Sequence, residues 1–484
     1  MPYPTTVHLN PSLQFEDPLP SVQAAAAISV PESSLSVTTA LALSEVAVGS
    51  EAAISGLITL KAPVVQKPDL PASERNGVDI IAVVDRSGSM QGEKINLLQS
   101  TLRYLLTQLT AKDRLSIIPF NTYSTVLCHL RRVTDEAKPD LEMVIRSIDA
   151  TGGTSIWEGL ANAINVAKNR TTKNPVCSLL LLTDGQDDRA FVDVKAQLQS
   201  SLPEGCTVDT FGYGIDHDAL LCSEIAKLGN GRFSFVQNNA GVGPAFASVL
   251  GGLLSVYAQP ISIEVIPRPG VSIESVRTCY ASSIDSNGVA SIAIPNMFED
   301  ERRDIVLLLH LSPVNAAVVA GIERLQQEVA LVKTYYTITA TAESKTCFAK
   351  MIIRRPEMVG PQELNIEVET QVLRCDVADA MDKANKLALA NKFDEAQQAF
   401  QAQIERLHRL PASPLIASLL ADLEECLKRV NSSQWAAGGQ AYLLSAGQQQ
   451  SRQRNTNTGT YSSQVYTTHS MQSQCNTYDA YAKH

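Results

Sequence analysis

The stretch IIAVVDRSGSM (residues 80–90) ends an apolar run on one carboxylate, Asp85, and follows it with two hydroxyls, Ser87 and Ser89, at alternate positions. Gly88 between them permits the tight turn that aims both hydroxyls one way. Hard divalent cations take oxygen ligands, and Mg2+ favours an octahedral shell that keeps several waters. The three side chains can therefore form half of such a shell. A simpler reading competes with it, because Asp and Ser are strong N-cap residues and Asp85 or Ser87 could merely start the next helix.

A third reading makes Asp85 a nucleophile, as in phosphatases that form an aspartyl phosphate. Those enzymes carry DxDx(T/V), whose second Asp is the general acid; here that position is Ser87, which cannot protonate a leaving group. Other strand ends decide between the remaining two. DATGGTSIWEGL puts Thr154 after a two-glycine turn and before a helix, and LLLLTDGQDD puts Asp184 directly after a buried strand. Three loops thus bring oxygen groups to one edge of one sheet, which counts against simple capping. The glycines of GYGIDHD (212–218) read as turns, since no GxGxxG follows a strand. His217 reads as part of a solvated loop. Asp187 and Asp188 read as the start of the helix RAFVDVKAQLQS, favoured by its dipole, and Trp157 as core packing at helical spacing from Leu160 and Ile164.

The elements that must position these residues alternate. VDIIAVVD (78–85), LSIIPF (115–120), VCSLLLLT (176–183), CTVDTFG (206–212) and GRFSFV (231–236) are apolar, β-branched runs separated by helical patterns such as KINLLQSTLRYLLTQL (94–109). That alternation predicts an α/β fold, a doubly wound, mostly parallel sheet with helices on both faces and its ligand crevice at the carboxyl ends of the strands. A short strand in STVLCHL (124–130) is expected to run antiparallel at an edge.

The flanks differ from this unit. Residues 1–30 read as an irregular, Pro-rich extension, and 31–65 as two strands, followed by a linker over 66–77. The α/β domain covers 76–255, and 256–358 reads as short strands without helices. Leftover edges on both sides predict one β-sandwich with the α/β domain inserted into it. Residues 366–445 read as helical. The piece ANKLALANKFDEAQQAF resembles half a tetratricopeptide unit, but one unit cannot stack, so a helical hairpin or small bundle is expected. The polar tail 446–484 is expected to be disordered, or ordered only against another surface.

Composition excludes several classes. A formal net charge of -10 without any basic block argues against a nucleic-acid surface. The 9 cysteines form no CxxC pair, which fits reduced thiols in a cytoplasmic protein. The first residues lack a basic flank and an apolar core, so no signal peptide is expected. No run of eighteen apolar residues occurs, so no membrane span is expected.

Taken in order, DRSGS (85–89), GGTS (152–155) and LLTDG (181–185) closely resemble a von Willebrand factor A domain with an intact metal-ion-dependent adhesion site, over about 77–255. The resemblance implies that Asp85, Ser87, Ser89, Thr154 and Asp184 hold Mg2+ or Mn2+, some directly and some through water. It also implies a protein partner that supplies Glu or Asp to the metal. The flanks, in GGTSIWEGL, GYGIDHD, ANKFDEAQQAF and GGQAYLLSAGQQQSRQR, resemble proteins in which such a domain precedes a VWA-interacting (Vwaint) region. Some plant members carry a RING finger and act as ubiquitin ligases; no RING pattern of cysteine and histidine occurs in this chain. The expectation is therefore a non-enzymatic, metal-dependent interaction module. An adaptor in ubiquitin transfer and a scaffold with a stabilising metal are the alternatives.

Overall fold

The computed structural model describes residues 11–19, 34–64, 75–187, 191–237, 239–314, 326–456 and 464–483. The first strands are β1 (Ser36–Leu41) and β2 (Ala52–Lys61), an antiparallel pair. After β2 the chain enters the α/β domain through β3 (Val78–Asp85). Six strands order as β5-β4-β3-β6-β7-β8, with β4 (Arg114–Phe120), β5 (Cys128–Arg132), β6 (Val176–Thr183), β7 (Cys206–Tyr213) and β8 (Asn230–Val236). All neighbours run parallel except β5, which pairs antiparallel with β4. The α/β class and the antiparallel edge are as the alternation predicts.

Period-two alternation in β3 explains the two faces. Ile80, Ala82 and Val84 pack with α1 (Glu93–Gln108), α2 (Lys138–Arg146) and α6 (Asn239–Leu253). Ile81 and Val83 pack on the other side with α3 (Ile156–Lys168), α4 (Phe191–Ser201) and α5 (Ala219–Leu228). Every residue of β3 is buried, so the run carries no polar alternation.

The chain leaves α6 into β9 (Val256–Pro267) and completes the sandwich with β10 (Val271–Arg277), β11 (Ala281–Ile284), β12 (Ala290–Ile294), β13 (Met297–Phe298), β14 (Arg302–Leu311), β15 (Gln326–Ile338) and β16 (Ser344–Arg354). One sheet orders β1-β2-β14-β10, the other β11-β12-β9-β15-β16 with β13 on β9. The leftover strands thus find each other, and the α/β domain is inserted between β2 and β9. Of the N-terminal extension, Leu13 is buried, and Glu16 and Asp17 pair with Arg114 and Arg131 at the sheet end opposite Asp85. Most of the expected 66–77 linker lies outside the described residues.

Four longer helices come next, α7 (Ile366–Leu389), α8 (Phe393–Leu407), α9 (Pro414–Arg429) and α10 (Gln440–Arg452), sharing one core with α5 and with Phe233 and Phe235 of β8. α10 runs along the free edge of the parallel sheet. Gln448 Oε1 accepts the Phe233 N–H at 3.0 Å and Ser445 Oγ donates to the Phe233 carbonyl at 3.2 Å. An edge strand with unpaired amides is a liability unless covered; here side chains cover it.

Of the two expectations for the tail from 446, disorder is corrected by this contact and by those of the described residues beyond it, which order against other surfaces of the same chain. Gln453 bonds both the N–H and the C=O of Asp304 at 2.9 and 2.8 Å, and Arg454 pairs with buried Glu301 at 2.9 Å. The last helix, α11 (His469–Tyr481), lies on α6 and α1. Gly251 makes the approach possible, since a methyl there would come within 2.7 Å of Met471 Cα. Tyr104 stacks edge-on to Tyr478 with ring centroids 4.9 Å apart. A polar composition predicts solvation only when its donors and acceptors find no protein partners. Here strand edges and buried charges supply them.

Candidate metal centre

β3, β4 and β6 end side by side. Asp85 is level with Phe120 of β4, Val84 with Leu182 of β6, and Asp184 follows β6 directly. The loop after β3 is tied to the loop before α3 by two backbone bonds, Gly88 N to Gly152 O at 2.9 Å and Thr151 N to Arg86 O at 2.7 Å. Asn121, just past β4, donates Nδ2 to the Thr151 carbonyl at 2.8 Å and accepts the Ser155 N–H on its own carbonyl at 2.8 Å. Thr154 is thereby brought over the strand ends.

The sequence-predicted residues converge. Ser87 and Ser89 hydroxyls lie 3.0 Å apart, and Ser89 donates to Asp184 Oδ1 at 2.8 Å. Asp85 Oδ1 accepts the Ser87 N–H at 2.8 Å and Oδ2 the Thr183 hydroxyl at 2.5 Å. A methyl on Gly185 would meet Thr154 Oγ1 at 2.8 Å and Asp85 Oδ2 at 3.1 Å, so only glycine fits between those two groups.

The charges of the two carboxylates are treated unequally. Asp85 is fully buried, and desolvation holds its carboxyl above the usual range. Hydrogen bonds from Thr183 and Ser87 oppose that shift, and the neighbouring Asp184 charge adds to it. Among the described residues Asp85 meets neutral donors only. Asp184, also unexposed, forms an ion pair with Lys94.

The capping alternative does not match this geometry. Gly92, with φ 83°, precedes α1 without any side-chain cap, and Ser87 makes no cap bond to the short turn after it. Asp187 Oδ2 accepts the Ile156 N–H at 2.6 Å and so fixes the start of α3. Asp188 lies outside the described residues. His217 is buried and not solvated: Nδ1 bonds the Gly214 carbonyl at 2.9 Å, and the ring lies against Phe233 and Phe235 and under Gly212. Trp157 packs on the α3 side of the sheet.

The donor set fits a hard cation. Among the described residues no three carboxylates, imidazoles or thiols cluster as metal ligands, and this site offers two carboxylates and three hydroxyls instead, all oxygen. Sequence reasoning missed Thr183, Gly185, Asn121 and Lys94. Thr183 and Gly185 sit inside the quoted LLTDG, and Lys94 is a cation in the first turn of a helix, where the dipole disfavours it. Nothing in the sequence marked Asn121 beyond its place after a strand.

Residues 78–235 match the family described as von Willebrand factor type A domain, and residues 413–480 the family described as VWA / Hh protein intein-like. A von Willebrand factor type A structure from Catenulispora acidiphila superposes with a TM-score of 0.61 at 15% identity, covering 82% of this chain and 89% of that one. The chain thus carries a region, 78–235, that matches the von Willebrand factor type A domain family and has that fold, and a C-terminal region, 413–480, that matches the Vwaint family. Two relatives are E3 ubiquitin-protein ligases WAV3 and WAVH1 of Arabidopsis thaliana, each 27% identical, over 50% and 52% of this chain. The chain spans 32% and 35% of their lengths.

These names correct the non-enzymatic expectation, since ubiquitin ligases are enzymes. That expectation rested on a missing RING pattern and on Ser87 in place of a general acid. The residues of one sheet edge exclude one reaction at that edge and do not reach the class of the protein. Among the described residues, no helix is long and apolar enough to cross a membrane.

Proposed function

We propose that the chain is a metal-dependent protein-recognition module whose Asp85, Ser87, Ser89, Thr154 and Asp184 hold Mg2+ or Mn2+. The observation that carries this is the convergence, from three loops, of two buried carboxylates and three hydroxyls around Asp85, a charge with no cation beside it among the described residues. Such a charge in a desolvated position is costly unless compensated. A divalent ion compensates it, and neutral hydroxyl donors leave that ion electrophilic toward a further oxygen. The partner supplies that oxygen from Glu or Asp. A net charge of -10 opposes an acidic partner at long range, while the ion's field dominates at bonding distance.

The names of the relatives favour a second layer to this reading, in which the module selects a protein partner in ubiquitin ligation. All 9 cysteines are free thiols, which suits the reducing cytoplasm.

Chelation tests the proposal. A partner retained on immobilised chain in Mg2+ and released by EDTA, with the melting temperature unchanged, supports recognition through the metal. A large fall in melting temperature with the partner still retained assigns the metal to scaffolding. If capture from cells retrieves no ligase or ubiquitin-conjugating enzyme above background, the ubiquitin layer is dropped.

A further inference from the structure

Lys94 is the second residue of α1, where the unpaired N–H groups of the first turn already carry partial positive charge. A lysine there gains nothing from its helix. Its ammonium instead reaches across to Asp184 Oδ2, on a carboxylate with 0% side-chain exposure, while Lys94 itself keeps 32%. The other oxygen of Asp184 takes the Ser89 hydroxyl at 2.8 Å. One carboxylate of the site therefore has a tethered cation and the other, Asp85, has none among the described residues.

We propose that Lys94 sets the charge of the metal centre, lowering its affinity for the divalent ion and raising its selectivity for an anionic ligand. This rests on the metal reading of the site. Asp85 and Asp184 with Lys94 sum to one net negative charge, so a bound divalent ion leaves one net positive charge at the mouth of the site. Without Lys94 the loaded site is neutral. The surplus charge is what a partner carboxylate cancels, and a neutral amide or hydroxyl oxygen cannot. Because Asp184 is already compensated, Asp85 is the carboxylate with the stronger claim on the ion.

The test uses the full chain and Mn2+ as the probe ion. Calorimetric titration is compared for wild type, Lys94→Met and Lys94→Arg, and glutarate is then titrated onto the Mn2+-loaded proteins with water-proton relaxation as readout. Lys94→Met is expected to bind Mn2+ on the order of ten- to a hundredfold more tightly and glutarate more weakly, with Lys94→Arg near wild type on both. A merely structural lysine would lower metal affinity when removed, so the direction of change is diagnostic. Unchanged or weaker Mn2+ binding by folded Lys94→Met overturns the inference alone, with Lys94→Gln deciding if the Met variant melts early. Wild type that binds no Mn2+ overturns the metal reading, and this inference falls with it.

Discussion

The Thr183 hydroxyl donates a hydrogen bond to Asp85 Oδ2 at 2.5 Å, across the seam between two neighbouring parallel strands. The bond fixes the rotamer of a carboxylate that burial alone would drive toward protonation. Thr183→Val keeps the shape and removes the donor. Supporting residues of this kind cost about 10- to 100-fold in metal affinity when lost, so Mn2+ titration should show a weakening in that range. An unchanged affinity would mean that Thr183 serves the fold alone.

His217 gives a pH dependence of defined sign. Burial holds its imidazole below the ordinary 6.5, so the folded state binds the proton less readily than the unfolded chain. Stability from this residue is complete above that value and is lost as the pH falls through 6.5 toward the depressed folded pKa. Melting curves should therefore drop below neutral pH. His217→Phe, between Phe233 and Phe235, should flatten that drop relative to wild type while losing the bond to Gly214.

Gln448 covers an edge amide of the parallel sheet, and its own amide donates to the Ser223 carbonyl at 2.8 Å. Gln448→Ala leaves the Phe233 N–H buried and unpaired. The expected loss is about 1–3 kcal/mol in denaturant melts. A loss within error would show that water replaces the glutamine.

Gly251 lets α11 lie against α6. Gly251→Leu should push that helix away, and hydrogen exchange should rise across residues 469–481 while β3 and β6 stay protected. Protection unchanged in both places would show that the helix accommodates the side chain by a small shift.

Much of the fold was legible because its signals are local. β3 and β6 are continuous apolar runs, and α1 carries its apolar residues at helical spacing, so the doubly wound sheet follows from periodicity. The five oxygen residues were legible for a related reason: each ends a strand or lies in the loop that leads into the next helix, and strand ends in a parallel sheet share one edge. What escaped was pairing between distant polar groups. Gln448, Gln453 and Arg454 read as solvated tail, yet each satisfies a strand edge or a buried charge far away along the chain. Composition counts such side chains as surface, and only three-dimensional proximity shows their partners. His217 was misread similarly, because two flanking aspartates suggested water where two phenylalanines provide the walls.

If the oxygen cluster around Asp85 holds a divalent cation, calorimetric titration of the full chain with Mg2+ and Mn2+, beside Asp85→Ala, shows it most directly. Saturable binding of one ion by wild type, absent in a folded Asp85→Ala, is the predicted result. No binding by wild type, or equal binding by Asp85→Ala, would contradict it.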